Sequence, residues 1–95
     1  MLQDGCWGGR RLLPAGWVAE SVTPCPIKPD YGLLWWLNTG RLPKPHASER
    51  SYFASGAGGN ITWVDPANDL VAVLRWVDVA VLDEWIGLVM AALAG

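Results

Sequence analysis

Few side chains in this sequence have types and spacings that could do chemistry. His46 is the only histidine, and Ser48 and Ser51 follow it closely. An imidazole beside a serine hydroxyl could begin an acyl-transfer site, with the histidine as general base. The run Pro43-Lys44-Pro45-His46 argues against that use, because an extended, solvated Pro-rich loop gives the pair no fixed geometry. His46 is therefore expected on the surface. Cys6 and Cys25 are the only thiols. One histidine and two distant cysteines are too few for a tetrahedral zinc site, so no metal is expected. Two thiols also make no disulfide framework, and both are read as free. Asn60-Ile61-Thr62 matches the N-glycosylation pattern, a weak signal at the start of a strand.

The densest signal comes from backbone. Ala54-Ser55-Gly56-Ala57-Gly58-Gly59-Asn60 precedes two apolar runs, residues 61–64 and 70–76, which are separated by Asp65-Pro66-Ala67-Asn68-Asp69. Glycines let a ligand or reacting atom approach bare N–H groups. The nucleotide-binding versions of such a loop are excluded. The third glycine of G-x-G-x-x-G would fall at Ile61, and there is no Gly-Lys-Ser/Thr. The stretch also opens a strand, so it lacks the helix dipole that holds a pyrophosphate. Two uses stay open: one wall of an active site whose nucleophile lies elsewhere, or glycines that only permit a bulge or tight packing.

Behind these residues stands a chain of 95 residues, at most one small domain. A domain of this size buries only about 60% of the surface its unfolded chain exposes. Yet 52% of the residues are apolar, 17% are charged and seven are Trp, more indole than so small an interior hides. The net charge of −2 speaks against nucleic acid as a main partner. Residues 1–5 lack the basic and apolar segments of a signal peptide. Arg75, Asp78, Asp83 and Glu84 interrupt the apolar C-terminal run, so no membrane span is expected.

The pattern predicts turn and loop over residues 4–11, then a short helix over 14–20 with Trp17 and Val18 buried. Pro24, Pro26 and Pro29 rule out regular structure over 23–30. Residues 31–38 read as a strand apolar on both faces, with Trp35 and Trp36 as core, and 40–50 as a loop. Two strands over 61–64 and 70–76 follow. Last comes a helix over 79–94, with Leu82, Trp85, Ile86, Val89, Met90 and Leu93 as its apolar stripe. Asp83 and Glu84 favour the positive end of its dipole. The fold class is α+β: three antiparallel strands with a C-terminal packing helix and a short N-terminal helix. That helix covers one sheet face. Leaving the other wet forfeits several kcal/mol at ~25 cal/mol per Å², so a covering partner is expected.

Taken in order, Gly9-Arg10-Arg11-Leu12-Leu13-Pro14-Ala15-Gly16-Trp17-Val18, then Tyr31-Gly32-Leu33-Leu34-Trp35-Trp36-Leu37-Asn38, then the stretch from Ala54 through Asp65-Pro66 and Asp69-Leu70-Val71-Ala72-Val73-Leu74 form a pattern. It resembles the C-terminal part of the serine β-lactamase-related family: class C β-lactamases, related esterases and 6-aminohexanoate-dimer hydrolase-like members. The resemblance covers nearly the whole chain. It implies that residues 1–95 are a C-terminal fragment of a penicillin-binding-protein-like α/β sandwich. It also implies acyl-enzyme chemistry on amides or esters, without cofactor, by a Ser-x-x-Lys nucleophile and a Tyr-x-Asn tyrosine. By the same resemblance Ala54, Ser55 and Gly56 stand at the third motif, Lys-Thr-Gly, and the backbone N–H of Ala57 joins the oxyanion hole. The departures are specific. Ala54 replaces the motif's Lys, which turns expectation from β-lactams toward amides or esters. None of Ser21, Ser48, Ser51 or Ser55 has Lys at the third position after it, and neither Tyr31 nor Tyr52 has Asn at the second. The expected partner is the missing N-terminal part of the same fold, and the chain alone is expected to be inactive. The alternative is a standalone Trp-rich module that binds sugar or an apolar ligand through Trp7, Trp35 or Trp36.

Overall fold

The apolar runs after the Gly-rich stretch pair as a hairpin. In the computed structural model, which describes residues 1–41 and 43–95, β5 (Asn60–Asp65) lies antiparallel to β6 (Leu70–Leu74). Their β-branched and aromatic residues suit a pleated, half-buried surface. The connection is a 3-10 turn, Pro66–Asn68, entered through the Asp65 side chain, which accepts from the Ala67 N–H, and left through Asp69 in the left-handed region.

Two further strands join this hairpin. β4 (Tyr52–Gly56) pairs with β5, and β3 (Trp36–Leu37) pairs with β4, giving a four-stranded antiparallel sheet in the order β3-β4-β5-β6. The sequence pattern predicts three strands. The added one is β4: Ala54, Ser55 and Gly56 extend a strand begun at Tyr52, and only residues 57–59 make the turn. The strand expected over 31–38 shrinks to β3. Leu34 takes a left-handed φ of 69° and breaks the extended run, leaving Leu33 and Leu34 exposed. Tyr31 and Trp36 then form an isolated bridge, with ring centroids 4.6 Å apart.

The N-terminal segment is also more ordered than expected. β1 (Cys6–Trp7) and β2 (Arg10–Arg11) form a two-stranded ribbon where turn and loop are predicted. Gly8 and Gly9, both at positive φ, supply the two-residue turn that matches strand twist. The first helix, α1 (Trp17–Ser21), starts later than predicted, after Gly16 in the left-handed region. Trp17 is 40% exposed rather than buried, and Ser21 is the residue α1 buries.

The C-terminal helix occupies the predicted residues with a tighter start. Val79–Val81 is a 3-10 turn capped by the Asp78 side chain on the Ala80 N–H, and α2 (Leu82–Ala94) follows. Its stripe seals one sheet face. Leu82 and Ile86 are buried with Phe53, Ile61, Trp63 and Leu74, and Trp85, Val89 and Met90 pack at the margin. Leu93 is exposed instead, outside that cluster.

The opposite face is covered at one end. Leu37, Tyr52 and Val64 are buried there beneath Met1, Leu2, Val22 and Trp35. Register places Val71 beside Val64 and Val73 beside Thr62 on that same face, where they stay 47% and 65% exposed. The arithmetic that left the whole face wet is thus corrected. The N-terminal segment folds back over Leu37, Tyr52 and Val64 and reaches β6, where Val71 lines a groove with Leu2, Cys6 and Leu13, leaving Val73 the more exposed of the two β6 valines.

Candidate functional site

Strand alternation decides where the backbone groups of the Gly-rich stretch point. The Asn38 N–H donates to the Ser51 carbonyl at 3.2 Å, so Ser51 and Phe53 turn their backbone groups toward β3. Ser55 has the same parity. The Gly56 carbonyl has the opposite parity and faces β5, and a planar trans peptide points the Ala57 N–H the other way. β3 ends at Trp36, opposite Phe53. Beyond Phe53 this edge of β4 has no strand partner among the described residues. The N–H groups of Ser55 and Ala57 share it.

A groove of about 360 Å³ opens beside Ser55 on the helix-covered face. Trp36, Phe53, Ile61 and Leu82 make its apolar lining, and Lys44 and Asp30 add charge. Its size falls within the range of small-molecule sites. The exposed Ser55 side chain projects from the same face as Phe53 and Ile61, which places it in this lining.

The glycines divide into two kinds. Gly59, at φ 80°, has the Val77 carbonyl where a Cβ would stand, and its own carbonyl accepts from the Val77 N–H at 3.0 Å. Gly58, at φ 86°, lies beneath the Trp76 indole. These two serve tight packing. Gly56 has ordinary room, its nearest contact being the Asn60 carbonyl at 3.6 Å. Asn60 fastens the turn to the end of β6. Its Oδ1 accepts from Arg75 Nε at 2.9 Å and from the Trp76 N–H at 3.3 Å, while its Nδ2 donates to the Ala57 carbonyl at 2.8 Å. The glycosylation-like asparagine is therefore committed to the turn.

The serine and histidine candidates enter separate networks. Ser48 Oγ donates to Asp65 Oδ1 at 2.6 Å, and the fully buried Asp65 also accepts from the Ala67 N–H at 3.1 Å and from Asn68 Nδ2 at 2.7 Å. Ser51 Oγ accepts from Trp63 Nε1 at 2.9 Å. Asn38, also fully buried, donates to the carbonyls of Lys44, Ala47 and Ser48 and accepts from the Lys44 N–H. Residues 43–50 are thus a pinned turn with Ala47 in the core, not the extended, solvated loop their prolines suggest. His46 is exposed as expected, but its Nδ1 and N–H both engage the Asp83 carboxylate on α2. Burial pushes the Asp83 carboxyl up. The His46 N–H and imidazole, with Lys44 beyond, outweigh that and hold it below its usual value. Serine, histidine and aspartate are all present without forming a triad.

Cys6 and Cys25 are free thiols. No three His, Cys, Asp or Glu side chains cluster to hold a metal among the described residues, and none of the helices there is long and apolar enough to cross a membrane. Trp35 and Trp36 diverge. Trp35 packs edge-on against Tyr52 at 5.0 Å, whereas the exposed Trp36 has the Lys28 ammonium 5.7 Å above its ring. Comparison with protein-family models and with curated proteins finds no match to this chain.

Proposed function

We propose that this chain is one wall of a serine-hydrolase active site, in a β-lactamase-like fold completed by a segment that carries the nucleophile. In this reading Ala54-Ser55-Gly56 is the third-motif strand end, and the Ala57 N–H is one of two donors to the oxyanion. The observation that supports it is the unpaired edge of β4, which carries the Ser55 and Ala57 N–H groups and at Ser55 borders a groove of small-molecule size. A donor aimed at a developing oxyanion is worth ~3 kcal/mol and needs no side chain, so Ala54 does not weaken that role. A serine hydroxyl on the completing segment would attack the carbonyl carbon of an amide or ester, its proton passing by way of a neighbouring base to the amine or alcohol that departs as the C–N or C–O bond breaks. Water would then release the acyl group. Within this chain Ser48 donates to the buried Asp65 carboxylate and Ser51 accepts from Trp63 Nε1, so neither is paired with His46.

Two measurements test this. The chain alone gives no turnover of p-nitrophenyl acetate above a heat-denatured control; turnover would overturn the inactivity. Titration with methylphosphonate, a tetrahedral anion, shifts the amide resonances of Ser55 and Ala57 and leaves Gly56, whose N–H faces β5, in place. Shifts confined to other residues would overturn the assignment. A second reading, a Trp-lined module for sugar or an apolar ligand, takes its support from the exposed Trp36 in the same groove. It predicts quenching of Trp36 emission by such a ligand.

A further inference from the structure

The outer edge of β6 carries an unusual sequence. Leu70-Val71-Ala72-Val73-Leu74 reads the same in both directions, with Asp69 before it and Arg75 after it. Edge strands that avoid self-association carry a lysine, a proline or a bulge. β6 has none of these, and its register with β5 is unbroken from Leu70 to Leu74. Leu70, Ala72 and Leu74 face β5 with their backbone groups, which turns the N–H and C=O of Val71 and Val73 outward.

We propose that β6 pairs antiparallel with β6 of a second copy about a two-fold axis at Ala72, joining two four-stranded sheets into one of eight strands. A palindrome suits this operation, because an antiparallel two-fold sets residue i opposite its mirror position. Val71 meets the partner's Val73 as a hydrogen-bonded pair, and the reciprocal pair forms on the other side of the axis. Ala72 meets its own copy at the closer, non-hydrogen-bonded position, where a small side chain fits best. The side chains of Val73 and of Val71, which is half-exposed beside the N-terminal segment, become a cluster of four. The same register sets Asp69 opposite the partner's Arg75 at both ends, so charge favours this alignment over a slipped one. The seam is short, well under the ~1,200 Å² of a standard interface, so the dimer is weak and depends on concentration. The pairing needs only β6 and stands or falls apart from the hydrolase reading.

Sedimentation velocity of the full chain over a wide concentration range tests it. The 10.3 kDa species should shift toward twice that mass as concentration rises. Val73→Lys, at an exposed site, should abolish the shift and leave the dilute melt unchanged. Arg75→Glu sets like charges opposite and should weaken the dimer several-fold; salt should relieve the repulsion but not the accompanying loss of the Arg75–Asn60 hydrogen bond. Amide exchange gives a separate readout: the Val71 and Val73 protons should gain protection with concentration while that of Ala72 does not change. A monomer at every concentration, a dimer indifferent to Val73→Lys, or open-ended growth in place of a closed pair would overturn the proposal.

Discussion

Three alanine substitutions in the Gly-rich stretch should separate scaffold from open site by their cost alone. Gly59→Ala meets two penalties. The left-handed backbone, φ 80°, costs an L-residue about 1–2 kcal/mol, and the new Cβ would collide with the Val77 carbonyl. Backbone cannot swing aside as a side-chain tip can, so relief requires breaking the Val77–Gly59 hydrogen bond, for about 1 kcal/mol more. The sum is about 2–3 kcal/mol, a large share of the ~5 kcal/mol a domain this small commands. Gly58→Ala bears the same backbone strain, at φ 86°, but its collision is with the outer ring atoms of the exposed Trp76, which can move. Its cost is about 1–2 kcal/mol. Gly56→Ala has ordinary space and lies in a strand, where alanine spares up to ~1 kcal/mol of backbone entropy, so it should be neutral or slightly stabilising. Urea unfolding followed by Trp fluorescence reads these as midpoint shifts at constant m. A ranking other than 59 above 58 above 56, or equal costs at Gly56 and Gly59, would refute the division of the stretch.

Three further outcomes follow from the buried polar groups and the ion pair. The hydroxyl of Tyr52 is buried without a hydrogen-bond partner among the described residues, so Tyr52→Phe should stabilise by about 1 kcal/mol in denaturant melts, and destabilisation would reveal a hidden partner. Asp65→Ala leaves the Ser48 hydroxyl, the Asn68 amide and the Ala67 N–H without their acceptor and should cost about 3 kcal/mol, read the same way. Asp83 binds its proton less tightly when folded, so its contribution is complete above the ordinary carboxylate value of about 3.9 and fades as pH falls through the lowered one. The pair is partly solvated, so the Tm gap between wild type and Asp83→Asn should correspond to less than about 1 kcal/mol near pH 5 and shrink toward zero as pH falls through the lowered value; a constant gap would contradict the ion pair.

What the sequence makes legible follows the reach of each signal. The helix over 79–94 is readable because its stripe repeats over three turns, and the β5–β6 hairpin because Pro66 and Asp69 punctuate two apolar runs. β4 is obscured by its own composition. After Tyr52 and Phe53 it continues through Ala54, Ser55 and Gly56, where no hydrophobic alternation marks a strand at an open edge. The strand over 31–38 fails at Leu34, a left-handed leucine that neither Gly nor Pro announces. The Gly8-Gly9 turn was readable as a two-residue hairpin, but strands of two residues each carry no period. The network of Ser48, Ser51, Trp63 and Asp65 is invisible in one dimension, since its members meet only after the sheet has formed.

The sheet's two open edges differ in what each can accept. A strand added to β4 beyond Phe53 would lie over the groove and take the Ser55 and Ala57 N–H groups into its ladder, removing the donors assigned to the oxyanion. That edge is short, ends in Gly56 and turns away at once through Gly58 and Gly59, so it offers a second chain little register. β6 offers five paired-length residues, a matched palindrome and opposite charges at its ends. Self-association of the chain alone is therefore directed to β6, the edge that strands of a completing segment would otherwise take. Val73→Lys should then suppress the dimer while the methylphosphonate shifts at Ser55 and Ala57 persist, and loss of both together would show that the two edges are not independent.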